Sequence, residues 1–221
     1  MATAGKPAIG CNSRRDSAHK KENFMDAITQ QLIQQLSGSA LSEIGKKIGA
    51  DKQTAGTAMS VALPLLVSAL AKNSSQPKGA ESLHTALAED HDGSILDDIS
   101  GFLTDPAAAN GAGILKHVLG GQQPVVAKGV AKGTGLNADQ VVQLLQIAAP
   151  LVMGLLGKQQ QKEKLDTKGL TSFLGSQQQQ VQESNPDLMG ALNTLLDADK
   201  DGSALDDILG MAGKLLGGGS K

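Results

Sequence analysis

Carboxylates at alternating positions, closed by a glycine, are the strongest chemical signal in this chain. Asp197-x-Asp199-x-Asp201-Gly202-Ser203 matches the opening of a calcium-binding loop between two helices. Such a loop presents oxygen ligands at every second position and uses the glycine for its sharp turn. Asp197, Asp199, Asp201 and Ser203 are therefore the candidate calcium ligands. The match stops early. The twelfth loop position is Ile208, where a bidentate Glu belongs, and Asp206 and Asp207 stand out of register. The motif also occurs once before, as Asp90-His91-Asp92-Gly93-Ser94-Ile95-Leu96-Asp97-Asp98-Ile99. There the opening ligand position is Ala88, which leaves Asp90 and Asp92 and too few oxygens for a hard cation.

A structural reading of the same residues is favoured over metal binding. Ser94 and Ser203 suit helix N-caps, with Asp97 and Asp206 three residues on in a pattern like a capping box. The carboxylates that follow favour the positive end of a helix dipole. Gly93 and Gly202 permit a left-handed turn. His91 beside Asp90 and Asp92 could serve a transition metal, but the second motif replaces it with Lys200, which argues for a solvated side chain. His84 and His117 read as helix-face residues. Asp97/Asp98 and Asp206/Asp207 are paired carboxylates, yet adjacent helical residues diverge. The Gly-rich pieces lack the Lys-Ser/Thr of a phosphate loop. No serine sits in a nucleophile elbow, and no cysteine–histidine pair has a plausible base. The expectation is a protein that is not an enzyme, with no cofactor apart from the calcium candidate.

Composition narrows the rest. The chain has 221 residues, three Phe and no Trp or Tyr, so its core must be aliphatic. The lack of aromatics weakens a nucleic-acid stacking role, and the net charge of −2 argues against a basic nucleic-acid surface. Lys6, Arg14, Arg15, Lys20 and Lys21 outweigh Asp16 and Glu22 in residues 1–22, leaving the remainder net acidic. Cys11, the only cysteine, excludes an internal disulfide. Ala8-Ile9-Gly10-Cys11 lacks the apolar stretch of a lipoprotein signal before it. Val61–Ala71 is an apolar run of 11 residues, short of the roughly 20 that span a bilayer. A soluble, cytoplasmic protein with no transmembrane segment is expected.

The elements that must hold the acidic turns are helical. Residues 1–22 are polar and aperiodic, a disordered tail. Met25, Ile28, Leu32 and Leu36 recur at helical spacing, and Leu41, Ile44 and Ile48 form a second short helix closed by Gly49. Asp51 can cap a helix to about Lys72 that has almost no polar face and so belongs at the centre of a bundle, kinked at Pro64. After a loop at Asn73–Pro77, Ala80, Leu83 and Leu87 mark the helix that enters the first acidic turn. Leu96, Ile99, Phe102 and Leu103 mark the one that leaves it. Thr104–Gly113 reads as a loop. Ile114–Leu119 forms a short helix ended by Gly120-Gly121, and Pro124 opens another bearing Val125, Val126 and Val130.

The chain then repeats itself. A shift of 86 places Gly49 on Gly135, Pro64 on Pro150, Leu70 on Leu156 and Lys72 on Lys158, whereas the acidic turns are offset by 109. The extra residues fall in Gln159–Pro186, where the glutamine runs read as solvated helix surface or linker around a small cluster of Leu170, Phe173 and Leu174. Leu188, Leu192, Leu195 and Leu196 follow on a last helix. No stretch alternates as a strand does. The expected architecture is an all-α, pseudo-symmetric helical bundle built from two diverged copies of a helical unit, whose two central helices pack together. The domain would span 23–213, with copy one at about 25–103 and copy two at about 124–213, and 214–221 would be a flexible tail.

The acidic turn, Gly113-Ile114-Leu115-Lys116-His117-Val118-Leu119-Gly120 and Ala148-Ala149-Pro150-Leu151-Val152-Met153-Gly154 together resemble the YidB-like family of bacterial proteins of unknown function. The similarity covers roughly residues 25–213. The resemblance implies a bacterial, all-helical protein and supplies no activity or catalytic residues. The functional expectation is a non-catalytic structural or protein-interaction module, with a protein partner or self-association. The alternative is a weak calcium-responsive module built on the second acidic turn.

Overall fold

A computed structural model describes Leu36 and residues 38–184, and these residues form helices joined by short turns, with no strand among them. The α-helices are α1 (Ser39–Ile48), α2 (Lys52–Ser74), α3 (Pro77–Glu89), α4 (Ile99–Thr104), α5 (Gly111–Leu119), α6 (Gln123–Thr134), α7 (Ala138–Glu163) and α8 (Thr167–Ser184). Short 3-10 turns at Ser94–Leu96, Pro106–Ala109 and Gly120–Gln122 join them.

Local chemistry sets the boundaries. Asp51 caps α2 by accepting hydrogen bonds from the Gln53 and Thr54 amides at 2.8 and 2.9 Å. Asn137 opens α7 with a reciprocal capping box, each side chain bonding the other residue's backbone at 2.9 Å. Gly49 and Gly135 close α1 and α6 in the left-handed conformation, with φ of 70° and 75°. Such a cap suits a residue without a Cβ.

The centre of the bundle is α2 against α7, and the other α-helices lie against one or both, except the short α4, which packs on α1. The all-round apolar sequence explains this. Nearly all of Ala62–Ala71 and Ile147–Gly157 is buried, and a helix without a polar face has nowhere else to go. By length and composition both helices could cross a membrane: their best windows have a mean hydropathy of 1.6, with 72% and 78% of each window buried inside the bundle. Pro64 and Pro150 sit within them. A proline has no N–H to give the carbonyl four residues back, so Pro150 leaves the Gln146 carbonyl without its helix donor. Gly111 lies directly over that carbonyl oxygen, where a Cβ would collide with it.

Several boundaries differ from the sequence reading. The stretch Thr104–Gly113 is not an open loop: Pro106 starts a 3-10 turn, Asn110 turns the chain left-handed at φ 51°, and α5 begins at Gly111. Helix α2 runs past Asn73 to Ser74, whose hydroxyl bonds back to the Ala71 carbonyl. Of the two readings of Gln159–Pro186, helix surface or linker, the described part is helix: residues 159–184 complete α7 and form α8, which lies along α2. Leu170, Leu174 and Val181 bury one face of α8, with Gln177 buried among them. Leu170, Leu174 and Val181 and the apolar side chains of the central helices belong to one apolar cluster.

Candidate functional site

The first acidic turn, Asp90–Asp98, is held by its own backbone and by α7. The Asp90 and His91 amides both donate to the Ala86 carbonyl at 3.0 Å as α3 ends. Asp92 accepts the Ser94 amide on Oδ1 at 3.0 Å. Gly93 then turns the chain at φ 98°, a conformation that disfavours any Cβ. One 3-10 turn carries Leu96 into the core. Asp98 next accepts the Gly101 amide at 2.8 Å and starts α4.

The expected capping pattern is therefore corrected. Ser94 is not an N-cap but the first residue of the 3-10 turn that Gly93 precedes; Asp98 is the residue that caps. Asp97 points elsewhere and accepts a 2.9 Å hydrogen bond from Lys158 of α7 in an exposed ion pair. The expected single helix from Leu96 to Leu103 is broken between them.

Close approach to α7 explains the remaining residues. A Cβ on Gly157 would collide with the His91 carbonyl oxygen, one on Gly154 with Ile95, and one on Gly93 with the Gly154 carbonyl. Three glycines thus allow the turn to rest on the helix backbone. Gln161 adds a 3.3 Å bond to the Asp92 carbonyl. Between this turn and the Pro106–Ala109 turn lies a cavity of about 370 Å³, lined by Asp90, His91, Asp92, Ser94, Ala108 and Asn110 among others.

The electrostatics suit a structural turn. Hydrogen bonds from the Ser94 backbone and side chain hold the Asp92 carboxyl below its ordinary pKa. Burial pushes the half-buried His91 imidazole below its ordinary value, and Asp90 offsets part of that shift. His84 donates Nε2 to the Leu165 carbonyl at 3.2 Å, and His117 donates Nδ1 to the Gly113 carbonyl at 3.0 Å. A carbonyl can only accept, so each ring carries its proton on that nitrogen. Both act as helix-face residues. Among the described residues no group of three or more His, Cys, Asp or Glu is placed to hold a metal ion. The calcium candidates Asp197, Asp199, Asp201 and Ser203 lie outside the described residues, as do Cys11 and the basic N-terminal residues.

Two further clefts went unseen in the sequence, and both are lined by Lys47. One of about 610 Å³ runs between α1 and α4, with Glu43, Lys46, Ser100 and Thr104. The other, about 390 Å³, lies between the Pro106–Ala109 turn, α5 and α7. Lysines in the last turn of a helix complement its dipole, so sequence alone gives them no further meaning.

Comparison with known proteins gives a family match. The family model described as a bacterial protein of unknown function, DUF937, matches residues 30–159. That stretch includes α1 to most of α7 and the whole of the first acidic turn. No curated protein matches the chain, and no solved structure does.

Proposed function

We propose, for a chain that belongs to the DUF937 family of bacterial proteins of unknown function, a non-catalytic structural or protein-interaction role. The observation that carries this reading is the use made of the acidic side chains. Asp51, Asp92 and Asp98 each accept a backbone amide, and Asp97 pairs with Lys158. Carboxylates engaged in this way start helices and seat loops; they are not poised for proton transfer or ligation. Apolar side chains left partly exposed at the bundle edge, such as Leu41, Val61, Ile99 and Phe102, favour a partner protein or a second copy. Light scattering tests the reading. A mass that rises with concentration above the 22.6 kDa chain supports self-association. A strict monomer from which no partner can be recovered counts against it.

The duplication belongs to the same proposal. The helix pairs α1–α2 and α6–α7 agree cap for cap at the shift of 86: Gly49 with Gly135, Asp51 with Asn137, and Pro64 with Pro150. This correspondence supports an internally duplicated unit.

The second reading is a calcium response of the turn at Asp197–Ser203, whose alternating carboxylates number one more than those of the first turn. On this reading millimolar calcium raises the melting temperature, and Asp199→Ala with Asp201→Ala abolishes the rise. A melting curve indifferent to calcium removes it.

A further inference from the structure

We infer that the bundle opens on a lipid bilayer and that α2 and α7 then cross its hydrocarbon layer. This goes beyond the protein-interaction reading and does not depend on it.

Between Lys52 and Lys72 of α2 stand 19 residues without a charge, and between Asp139 and Lys158 of α7 stand 18. A helix of roughly 20 mostly apolar residues is long enough for the hydrocarbon layer. The strictly apolar run Val61–Ala71 falls short of that length; the uncharged runs of the two helices do not. Both helices also have the hydropathy of a membrane span.

Burial in the bundle accounts for only part of this. It requires apolar side chains where the helices face the core, and it asks nothing of the positions that face water. Within the uncharged runs those positions are Gln53, Thr57 and Ser60 on α2 and Gln143 on α7, all exposed. The helices packed around them put charges at exposed positions, such as Lys47 on α1, Glu81 on α3, Lys116 on α5 and Lys128 on α6. In water a charge on α2 or α7 would be just as acceptable. In hydrocarbon it is costly, whereas an uncharged polar side chain can bond across a helix pair. The water-facing positions of the two central helices therefore carry residues that suit both solvents.

The charges return where headgroups would lie. Lys52 and Lys72 bracket the run of α2, Asp139 and Lys158 that of α7, and all four are exposed. Lysines at helix ends extend their ammonium groups to the interface. Pro64 and Pro150 lie inside the runs, and spanning helices tolerate proline where a neighbouring helix satisfies the freed backbone groups. Lipid tails are as apolar as leucine, so the central pair exchanges one apolar surrounding for another. The helices displaced from it have apolar faces of their own, with Ile44 and Ile48 on α1 and Leu115 and Leu119 on α5. Such faces bind in the plane of the membrane interface.

Flotation of the full chain with vesicles of phosphatidylcholine and phosphatidylglycerol tests the inference, with a fluorophore on a single cysteine reporting depth. Ser60 is exposed in the bundle but lies near the middle of its uncharged run. With Cys11→Ser, a label at Ser60→Cys stands in water in the bundle and in hydrocarbon in the membrane. A label at Thr85→Cys, exposed on α3, is the control. The expected result is that the chain floats and that spin labels deep in the acyl chains quench the Ser60 label but not the Thr85 label. Gln143→Lys adds a charge at an exposed position. It should leave the melting temperature in solution unchanged and lower the vesicle partition coefficient roughly a hundredfold. Thr57→Lys makes the same test on α2, should either variant fail to fold. A wild-type chain that stays in solution overturns the inference and leaves the protein-interaction reading standing. A chain that floats with its Ser60 label still in water overturns it too, as do folded lysine variants that partition as the wild type does.

Discussion

Among single residues His91 has the clearest physical consequence. Its ring is held below the ordinary imidazole pKa chiefly by burial, against the pull of Asp90. The unfolded chain therefore binds the proton more readily than the folded one. Stability is full above the unfolded value of about 6.5 and falls as pH drops through it toward the folded value. His91→Gln is expected to flatten the fall in melting temperature between roughly pH 7.5 and 5.5, read by thermal melts across that range. An unchanged slope would place the titrating group elsewhere. The same turn shows where residue-level reading ended. That this turn would start a helix was legible, but not that Asp98 rather than Ser94 would cap it. Leu96 is drawn into the core, the chain completes one 3-10 turn to put it there, and the helix restarts at Asp98. Local patterns at Ser94 and Asp98 are too alike to reveal that.

Elements meet through missing side chains as much as present ones. Gly157 sits under the backbone of the first turn, and a carbonyl cannot rotate aside as a flexible side chain can. Gly157→Ala is expected to destabilise the protein by about 1–3 kcal/mol. Gly175 in α8 has open space where its Cβ would stand. Gly175→Ala should stabilise by about 0.5–1 kcal/mol, because the helix gains propensity and loses no contact. Denaturant titrations of the two variants check both signs. The central helices were legible because a stretch with no polar face can lie only at the centre. Helix α8 was not. Its buried positions Leu170, Leu174, Gln177 and Val181 follow helical spacing, but one of the four is glutamine, and the glutamines around it mask the stripe. The clefts at Lys47 were hidden for a different reason: they exist only where α1, α4, α5 and α7 converge.

At the scale of the molecule, one apolar cluster joins α2, α7 and the helices around them. Among the described residues no group of helices has a separate apolar cluster to retain when the rest is lost. Denaturant unfolding is therefore expected to be a single transition, coincident by circular dichroism and by intrinsic hydrogen exchange of α2 and α7. Two separated transitions would show that α2 and α7 do not unfold together. The two stretches without a polar face made the shared centre legible; the lateral helix laid along α2 was not, because its residues are mostly polar.

Gly111 resting on the carbonyl that Pro150 leaves free carries a lesson about sequence history. If Pro150 is replaced by alanine, the restored amide draws the Gln146 carbonyl back into its helix and opens room above it. Gly111→Ala should then cost much less than it does beside the proline, a coupling that a double-mutant cycle measures. Mutational drift at these two sites would have to follow an order: the imino acid must go first, and only afterwards can the glycine acquire a side chain.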